Sequence, residues 1–580
     1  MKRSIPVTPF TGRIRLVTGI FICLFALLIV RLSVLQIGSA AYYKSQAADQ
    51  HAFFDRLAPS RGEIKVADKT SAENLPVATN IHVPLVYVIP KSVSDPLRVA
   101  QGLSSVLGIA ETDILAKLQS KDKVYVPIKR RLTQDEVETI KALHLPGVAF
   151  DDELVRYYPE RTFLSHVVGF LGYKENSGSE RVGLYGIEKS FDQALSGQAG
   201  SLDPTRYGAG SWLFGVKQAF QAATNGSQLL LTIDRSIQLT AEQVLASTVE
   251  AHQADGGCVV VMDPKTGSLL AMASNPSYDP NEYNKVTNQA VFSNLCTTGS
   301  YEPGSVFKAV TMAAALDRGA ITPDTTYVDP GQVVVDGYTI KNSDGKAHGL
   351  QTMTQVLEES LNTGVIFAKN KVGNKTFLDY VQRFGFGKLT GLDIPESGGS
   401  LKNLNGNVEV NYDTASFGQG ILVTPIQMVK AYAAIANNGR MPAPHVVAAQ
   451  ITPDGKTLET AVHLGEQIIS QKTADNLSAM LVSVVEYGHG KRARVPGYYI
   501  AGKTGTAQVA KKDGPGYDPT NNIGTFVGYG PVEDPRFVML VRINHPRTVQ
   551  YAESTAGPAW GQIAKFILSY YNVPPNRPVK

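Results

Sequence analysis

The sequence predicts an α+β protein: an antiparallel sheet flanked by helices, preceded by a β-rich module and a single membrane-crossing helix. Three observations carry this. Leu16 to Val30 is apolar and uncharged. From about Tyr42 to Asn225, short apolar runs alternate with amphipathic stretches. Beyond Asn225, buried-strand runs separated by turns are interleaved with helical patterns, as an antiparallel sheet with packed helices requires.

The chain of 580 residues has room for two to three domains. Its 43% hydrophobic and 18% charged residues describe a folded protein, not a disordered one. A net charge of +4 is too small to suggest a nucleic-acid binder. Three cysteines are too few for a disulfide framework, and no Cys/His cluster has metal-ligand spacing, so no metal or cofactor is expected.

Leu16 to Ile37 has the length of a membrane span. Its length and the interrupting Arg31 favour an uncleaved anchor over a cleaved signal peptide, for which Gly38-Ser39-Ala40-Ala41 is the candidate cleavage site. Lys2, Arg3, Arg13 and Arg15 crowd the near side, which puts the N-terminus in the cytoplasm and the bulk of the chain outside. Arg31 either snorkels to the outer interface or contacts a membrane partner.

In the next module, Val83 to Ile89 reads as a strand, and Leu97 to Leu107 and Thr133 to Leu143 read as helices. Pro59 to Ile64 reads as a loop entering a strand. No nucleophile, base and orienter cluster there. After Asn225, Gln228 to Asp234 is a strand, Ser236 to Ala251 a helix, and Gly257 to Met262 and Ser268 to Ala273 a hairpin about Asp263 to Gly267. A helix follows Pro303-Gly304, and another follows Thr424-Pro425, ending at Asn437-Asn438-Gly439. Tyr498 to Gln508, Gly524 to Tyr529 and Phe537 to Ile543 are strand-like, and Ala559 to Tyr571 is a final amphipathic helix.

Ser305 and Lys308 are three residues apart, so one turn of helix presents both on one face, where dipole and amine can activate the hydroxyl. The pattern S-x-x-K also occurs at Ser120-Lys123 and Ser343-Lys346, so it decides nothing alone. What singles out Ser305 is the order in which Ser360-Leu361-Asn362 and then Lys503-Thr504-Gly505-Thr506 follow it. The set S-x-x-K, S-x-N and K-T-G marks serine acyl-transferases acting on β-lactams and D-Ala-D-Ala peptides. The copy Lys265-Thr266-Gly267 precedes the nucleophile and lies in a turn, so it is a decoy.

On these motifs the chain resembles the class B penicillin-binding proteins. Arg61-Gly62-Glu63-Ile64, Arg156-Tyr157-Tyr158-Pro159, His166-Val167-Val168-Gly169 and Gly186-Ile187-Glu188 are similar to that family's N-terminal module. Glu302-Pro303-Gly304-Ser305, Ser416 to Gly420 with Thr424-Pro425, and Gly502 to Ala507 are similar to its catalytic blocks. The resemblance implies a cytoplasmic tail over residues 1–15, an anchor over 16–37, an elongated pedestal over 38–225 and a transpeptidase domain with a five-stranded antiparallel sheet over 226–575, with 576–580 as a tail. It implies that Ser305 attacks the penultimate D-Ala of a stem peptide, that Lys308 takes its proton, and that Ser360 relays that proton. Asn362 would orient Lys308 and bind the substrate amide. Lys503, Thr504, Gly505 and Thr506 would bind the substrate carboxylate and complete the oxyanion hole.

The implied partners are peptidoglycan stem peptides, β-lactam antibiotics and a polytopic SEDS-type glycan polymerase with other divisome or elongasome proteins, the reading leaning to division. The alternatives are a β-lactamase and a β-lactam-binding scaffold or sensor. Glu358-Glu359-Ser360-Leu361-Asn362 spells the E-x-x-L-N of a lactamase base loop, but its residues already occupy the S-x-N position.

Overall fold

The computed structural model describes residues 10–34, 59–71, 73–120, 123, 125–174, 181–202, 220–511, 514 and 516–578. They belong to two compact units, Met1–Ser60 with Gly197–Asn225, and Arg61–Ser196 with Gly226–Lys580.

The first unit holds the helix Phe10–Ser33, whose stretch Ile14–Ser33 is long and apolar enough to cross a membrane and has no buried side chain. A helix satisfies its own backbone, so such a segment is stable in lipid. Arg31 lies in its last turn. The last residues of the expected span, 35–37, lie outside the described residues, as does the Gly38 to Ala41 site. The unit also holds a short ladder pairing Ser201–Leu202 with Phe220–Gln221.

The second unit is built on a five-stranded antiparallel sheet in the order Leu269–Asn275, Gly256–Met262, Phe537–Asn544, Tyr517–Gly530, Ala501–Ala510. Gly256–Met262 is buried along its whole length because helices cover both faces, and the strand's period of two divides its side chains between them. Val259 and Val261 join Ile237, Val244, Trp560 and Ile563 on one side. Cys258, Val260 and Met262 join Val306, Val310, Met428 and Tyr432 on the other. The helices Arg235–Ala251 and Ala556–Tyr570 make the first layer, and Lys308–Asp317, Pro425–Ala436 and Gln471–Glu486 contribute to the second.

A larger sheet runs through the order Thr457–Glu459, Val447–Ile451, Gln228–Asp234, Ile64–Ala67, Leu75–Val88, Val126–Lys129, with Val148–Tyr157 also paired to Leu75–Val88. Its joint is parallel, Ile64 opposite Leu229 and Lys65 opposite Leu230. Beside that joint, Glu188 is completely buried, with Arg61 Nε 2.7 Å from one carboxylate oxygen and Arg156 Nε 2.7 Å from the other. Burial would raise this carboxyl, but Arg156 and Arg61 outweigh it and hold Glu188 below its ordinary value.

Most elements lie where the sequence places them. Thr133 and Glu136 form a capping box ahead of Gln134–Ala142, and Thr424 and Gln427 form another ahead of Pro425–Ala436. The helix after Asp234 begins at Arg235, with the Asp234 carboxylate accepting from Ile237 N. The last three strands shift in their bounds. Ala501–Ala510 starts later than expected, and it ends two residues beyond Gln508 while Tyr517–Gly530 starts seven residues earlier than Gly524, because the hairpin they form reaches beyond the next strand.

Candidate active site

The nucleophile's segment is held before any helix begins. Tyr301 N and Val423 N each donate to the other residue's carbonyl at 2.9 Å, and Gly304 N donates to Gly418 O at 3.0 Å. Gly304 takes φ +59°, and Gly418 takes φ +82° where a Cβ would lie 2.3 Å from Gly304 O, so both positions need glycine. The expected helix opening at Ser305 is a 3-10 turn over Gly304–Phe307, and the α-helix proper is Lys308–Asp317. The left-handed Gly304 after Pro303 accounts for the difference, because it turns the chain immediately ahead of Ser305. Ser305 therefore sits just ahead of the helix's positive end. Tyr432 OH donates to Val306 O at 2.8 Å and Thr311 Oγ1 to Ser416 O at 2.7 Å, which lock the turn from behind. Ser305 is half-buried, and its Oγ makes no hydrogen bond among the described residues.

Lys308 is fully buried, its Nζ 2.5 Å from Ser360 O and 3.2 Å from Ser360 Oγ. Burial, and then the charge of Lys503, push its pKa well below the ordinary lysine value. Lys503 is equally buried, donates to Ser360 Oγ at 3.0 Å and to Thr504 O at 3.2 Å, and burial lowers it to about 7. Two lysines thus meet at one hydroxyl. When both donate, they occupy its lone pairs and leave its own proton available outward. Ser360 holds φ +56°, a costly conformation for a residue with a side chain, and Leu361 N to Val356 O at 2.9 Å anchors the turn around it.

Asn362 is the first residue of the helix Asn362–Val372. Its Nδ2 donates to Lys341 O at 2.8 Å and its backbone N to Asn342 Oδ1 at 2.9 Å. Among the described residues it makes no hydrogen bond to Lys308. Ser360 makes the contacts that orient that amine, and Asn362 clips the motif to the hairpin ending at Lys341. Beneath it, Asp329 accepts from Thr363 Oγ1 at 2.5 Å and His348 N at 2.8 Å.

Lys503 to Thr506 lie on the edge strand of the five-stranded sheet. A Cβ on Gly505 would stand 3.0 Å from Val306 N and 3.1 Å from Pro303 O, so this glycine lets the strand lie against the Ser305 turn. Thr504 is buried, and Thr506 is half-buried with its Oγ1 accepting from Ala552 N at 3.1 Å. The decoy Lys265-Thr266-Gly267 is in the turn joining Gly256–Met262 to Leu269–Asn275, where the Lys265 amine pairs with Asp534. Glu358 is engaged by Ser483 Oγ on the helix Gln471–Glu486.

Glu302 has no role legible in its motif, and nothing in the sequence marks Asp329 or Tyr517. One Glu302 oxygen accepts from Gly420 N at 3.0 Å and the other from Tyr517 OH at 3.0 Å, while burial raises the carboxyl above its ordinary value. The available signal was an acid placed between aromatic and apolar residues.

Residues 257–569 match the penicillin binding protein transpeptidase domain, and residues 56–231 match the penicillin-binding protein dimerisation domain. Stage V sporulation protein D of Bacillus subtilis is 33% identical over 96% of this chain and 86% of its own. Peptidoglycan D,D-transpeptidase FtsI of Escherichia coli is 29% identical over 97% of this chain and 92% of its own. Penicillin binding protein 3 from Mycobacterium tuberculosis, solved in complex with aztreonam, superposes with a TM-score of 0.69 at 26% identity over 90% of this chain and 98% of its own. With the motifs assembled as described, and the family's domain matching more than half of its length, the chain belongs to the penicillin-binding protein transpeptidases.

Proposed function

We propose that the chain is a membrane-anchored peptidoglycan D,D-transpeptidase that works through a Ser305 acyl-enzyme and is inhibited by β-lactams. The convergence of Lys308 and Lys503 on Ser360, next to the Ser305 turn, carries this reading. Lys308, neutral through burial and the charge of Lys503, accepts the Ser305 proton as Oγ attacks the penultimate D-Ala carbonyl. Ser360 passes a proton to the leaving D-Ala amine. The Ser305 and Thr506 N–H groups bind the oxyanion, each donor contributing roughly 3–4 kcal/mol in acyl transferases generally. Lys503, Thr504 and Thr506 bind the donor's terminal carboxylate, and Gly505 allows the strand its approach. Asn362, with its Nδ2 engaged by Lys341, presents Oδ1 to a substrate amide N–H. An amine from a neighbouring stem peptide then takes the acyl group and closes the cross-link.

The named activity of FtsI and the aztreonam and ampicillin complexes of penicillin binding protein 3 support the substrate class and the inhibitor class. The basic residues before the span support a cytoplasmic N-terminus and an extracytoplasmic site. A single-span transpeptidase of this kind needs glycan made elsewhere, so a polytopic SEDS-type polymerase within the division machinery is its proposed partner.

Labelling the full-length chain with fluorescent penicillin, followed by peptide mass spectrometry, tests the mechanism. The adduct is expected on the peptide holding Ser305 and is expected to vanish in Ser305→Ala. An adduct on another residue overturns the assignment, and rapid turnover of the adduct favours a β-lactamase.

A further inference from the structure

The hairpin that carries the K-T-G motif changes character just beyond it. Ala501–Ala510 pairs with Tyr517–Gly530 continuously from Ala501 opposite Tyr529 to Gln508 opposite Asn522, then jumps to Val509 opposite Asp518 and Ala510 opposite Tyr517. The next strand, Phe537–Asn544, begins its pairing only at Ile523, so among the described residues the outer arm of Val509, Ala510, Tyr517 and Asp518 has no third strand behind it. An interrupted two-stranded ribbon is weakly placed by its own ladder.

One side-chain hydrogen bond ties this arm to the rest of the domain among the described residues, Tyr517 OH to Glu302 Oε2 at 3.0 Å. Glu302 lies three residues before Ser305, and its other oxygen accepts from Gly420 N at 3.0 Å. Gly420 belongs to the same turn whose Gly418 carbonyl receives Gly304 N. A single carboxylate therefore joins the nucleophile's segment, the Gly418 to Gly420 turn and the outer arm. Both of its neighbours donate here, a backbone N–H and a phenol, and the carboxylate accepts the two at once in charge-assisted bonds. A carboxamide keeps the bond from Gly420 N at its oxygen and meets the phenol as a neutral donor, so the bond to Tyr517 loses its charge assistance.

We infer that Glu302 is a positioning residue for acylation, its carboxylate holding the arm beyond Thr506 at a set place relative to Ser305 before the acyl donor arrives. The inference rests on the acyl-transfer reading above. The edge strand forms the wall along which the donor lies, and Glu302 ties the loose end of that wall to the nucleophile's own segment. Val509 packs against the core, so Tyr517→Phe removes the arm's hydrogen-bonded tie while leaving that packing and the Glu302 to Gly420 bond intact.

The test is time-resolved acylation of the full-length, detergent-solubilised chain by fluorescent penicillin, resolved into the binding constant K and the acylation rate k2. Tyr517→Phe, Glu302→Gln and the double variant are compared with the parent chain and with Ser305→Ala, and melting temperatures are recorded for all. Tyr517→Phe is expected to raise K about tenfold, the equivalent of one hydrogen bond to a carboxylate, with k2 changed by less than about twofold. Glu302→Gln, which keeps a weaker neutral bond to the phenol, is expected to raise K by no more than Tyr517→Phe, and the double variant to raise it no further than Tyr517→Phe alone. A Tyr517→Phe variant with the parent K overturns the proposal, as do independent losses that multiply or losses that follow a fall in melting temperature. If Glu302→Gln does not fold, Tyr517→Phe alone decides. Failure of the parent chain to label, or labelling of Ser305→Ala, instead sinks the acyl-enzyme reading on which the inference stands.

Discussion

Lys308 and Lys503 reach the same hydroxyl from a helix and a strand, yet their surroundings separate their protonation. Both lose hydration by burial, but Lys308 also feels the charge of Lys503, so its proton leaves first. Lys503 keeps its charge below about 7 and loses it above. The acylation efficiency k2/K reports the free enzyme, in which Lys308 must be neutral and Lys503 charged. It is expected to rise with pH while Lys308 deprotonates and to fall above about 7, a bell that stopped-flow acylation across the neutral range measures. A profile still rising well above that point removes Lys503 from its assigned role. The identity of both lysines was legible from motif order. Which one holds the proton was not, because it depends on burial and on a partner 195 residues away, 503 − 308.

At the scale of elements, the site depends on how closely an edge strand approaches a 3-10 turn. Gly505 sets that approach: an added Cβ meets Val306 N at 3.0 Å and Pro303 O at 3.1 Å, and neither backbone atom can swing aside as a side-chain end could. Gly505→Ala is expected to cost about 1–3 kcal/mol by overpacking and to slow acylation at least about tenfold, because the strand shifts away from Ser305. Thermal melting and fluorescent-penicillin kinetics check the two parts, and an alanine variant acylating at the parent rate contradicts the close approach. The glycine was readable as the third letter of K-T-G. Its reason was not, since Val306 and Pro303 come to it only through the fold. The decoy Lys265-Thr266-Gly267 carries the same letters in a turn whose glycine packs against Ala443 instead of the Ser305 segment, which shows why spelling alone is weak.

At the scale of the second compact unit, the stretch before Asn225 and the catalytic stretch share one sheet, through the parallel pairing of Ile64–Ala67 with Gln228–Asp234. Glu188 stands beside that joint with Arg61 and Arg156 on its two oxygens. Glu188→Gln leaves the buried Arg156 guanidinium without a counter-charge, while Arg61 keeps Asp192 at 2.8 Å, and is expected to cost about 3–5 kcal/mol, read by thermal or denaturant melting at neutral pH. The arginines lower the folded-state pKa of Glu188 despite its burial. Its stabilisation is therefore present above the unfolded carboxyl pKa and is lost as pH falls through the lower folded value. A Glu188→Gln chain as stable as its parent rejects this role. Each of the three residues was visible in a separate block, Arg61-Gly62-Glu63, Arg156-Tyr157-Tyr158 and Gly186-Ile187-Glu188. Their meeting at one carboxylate was not.

By itself the sequence determined the elements and the chemistry on offer. Period-two and helical patterns, caps such as Thr424-Pro425 and the ordered motifs at Ser305, Ser360 and Lys503 are local or linear features, and local features survive being read one residue at a time. The tertiary structure alone decided what those features touch. It moved the start of the helix from Ser305 to Lys308, gave the orienting of Lys308 to Ser360 instead of Asn362, and brought Glu302, Gly420 and Tyr517 to one carboxylate. Contacts between segments fifty to two hundred residues apart are set by packing, which depends on the whole chain at once. No window of sequence contains both ends of such a contact.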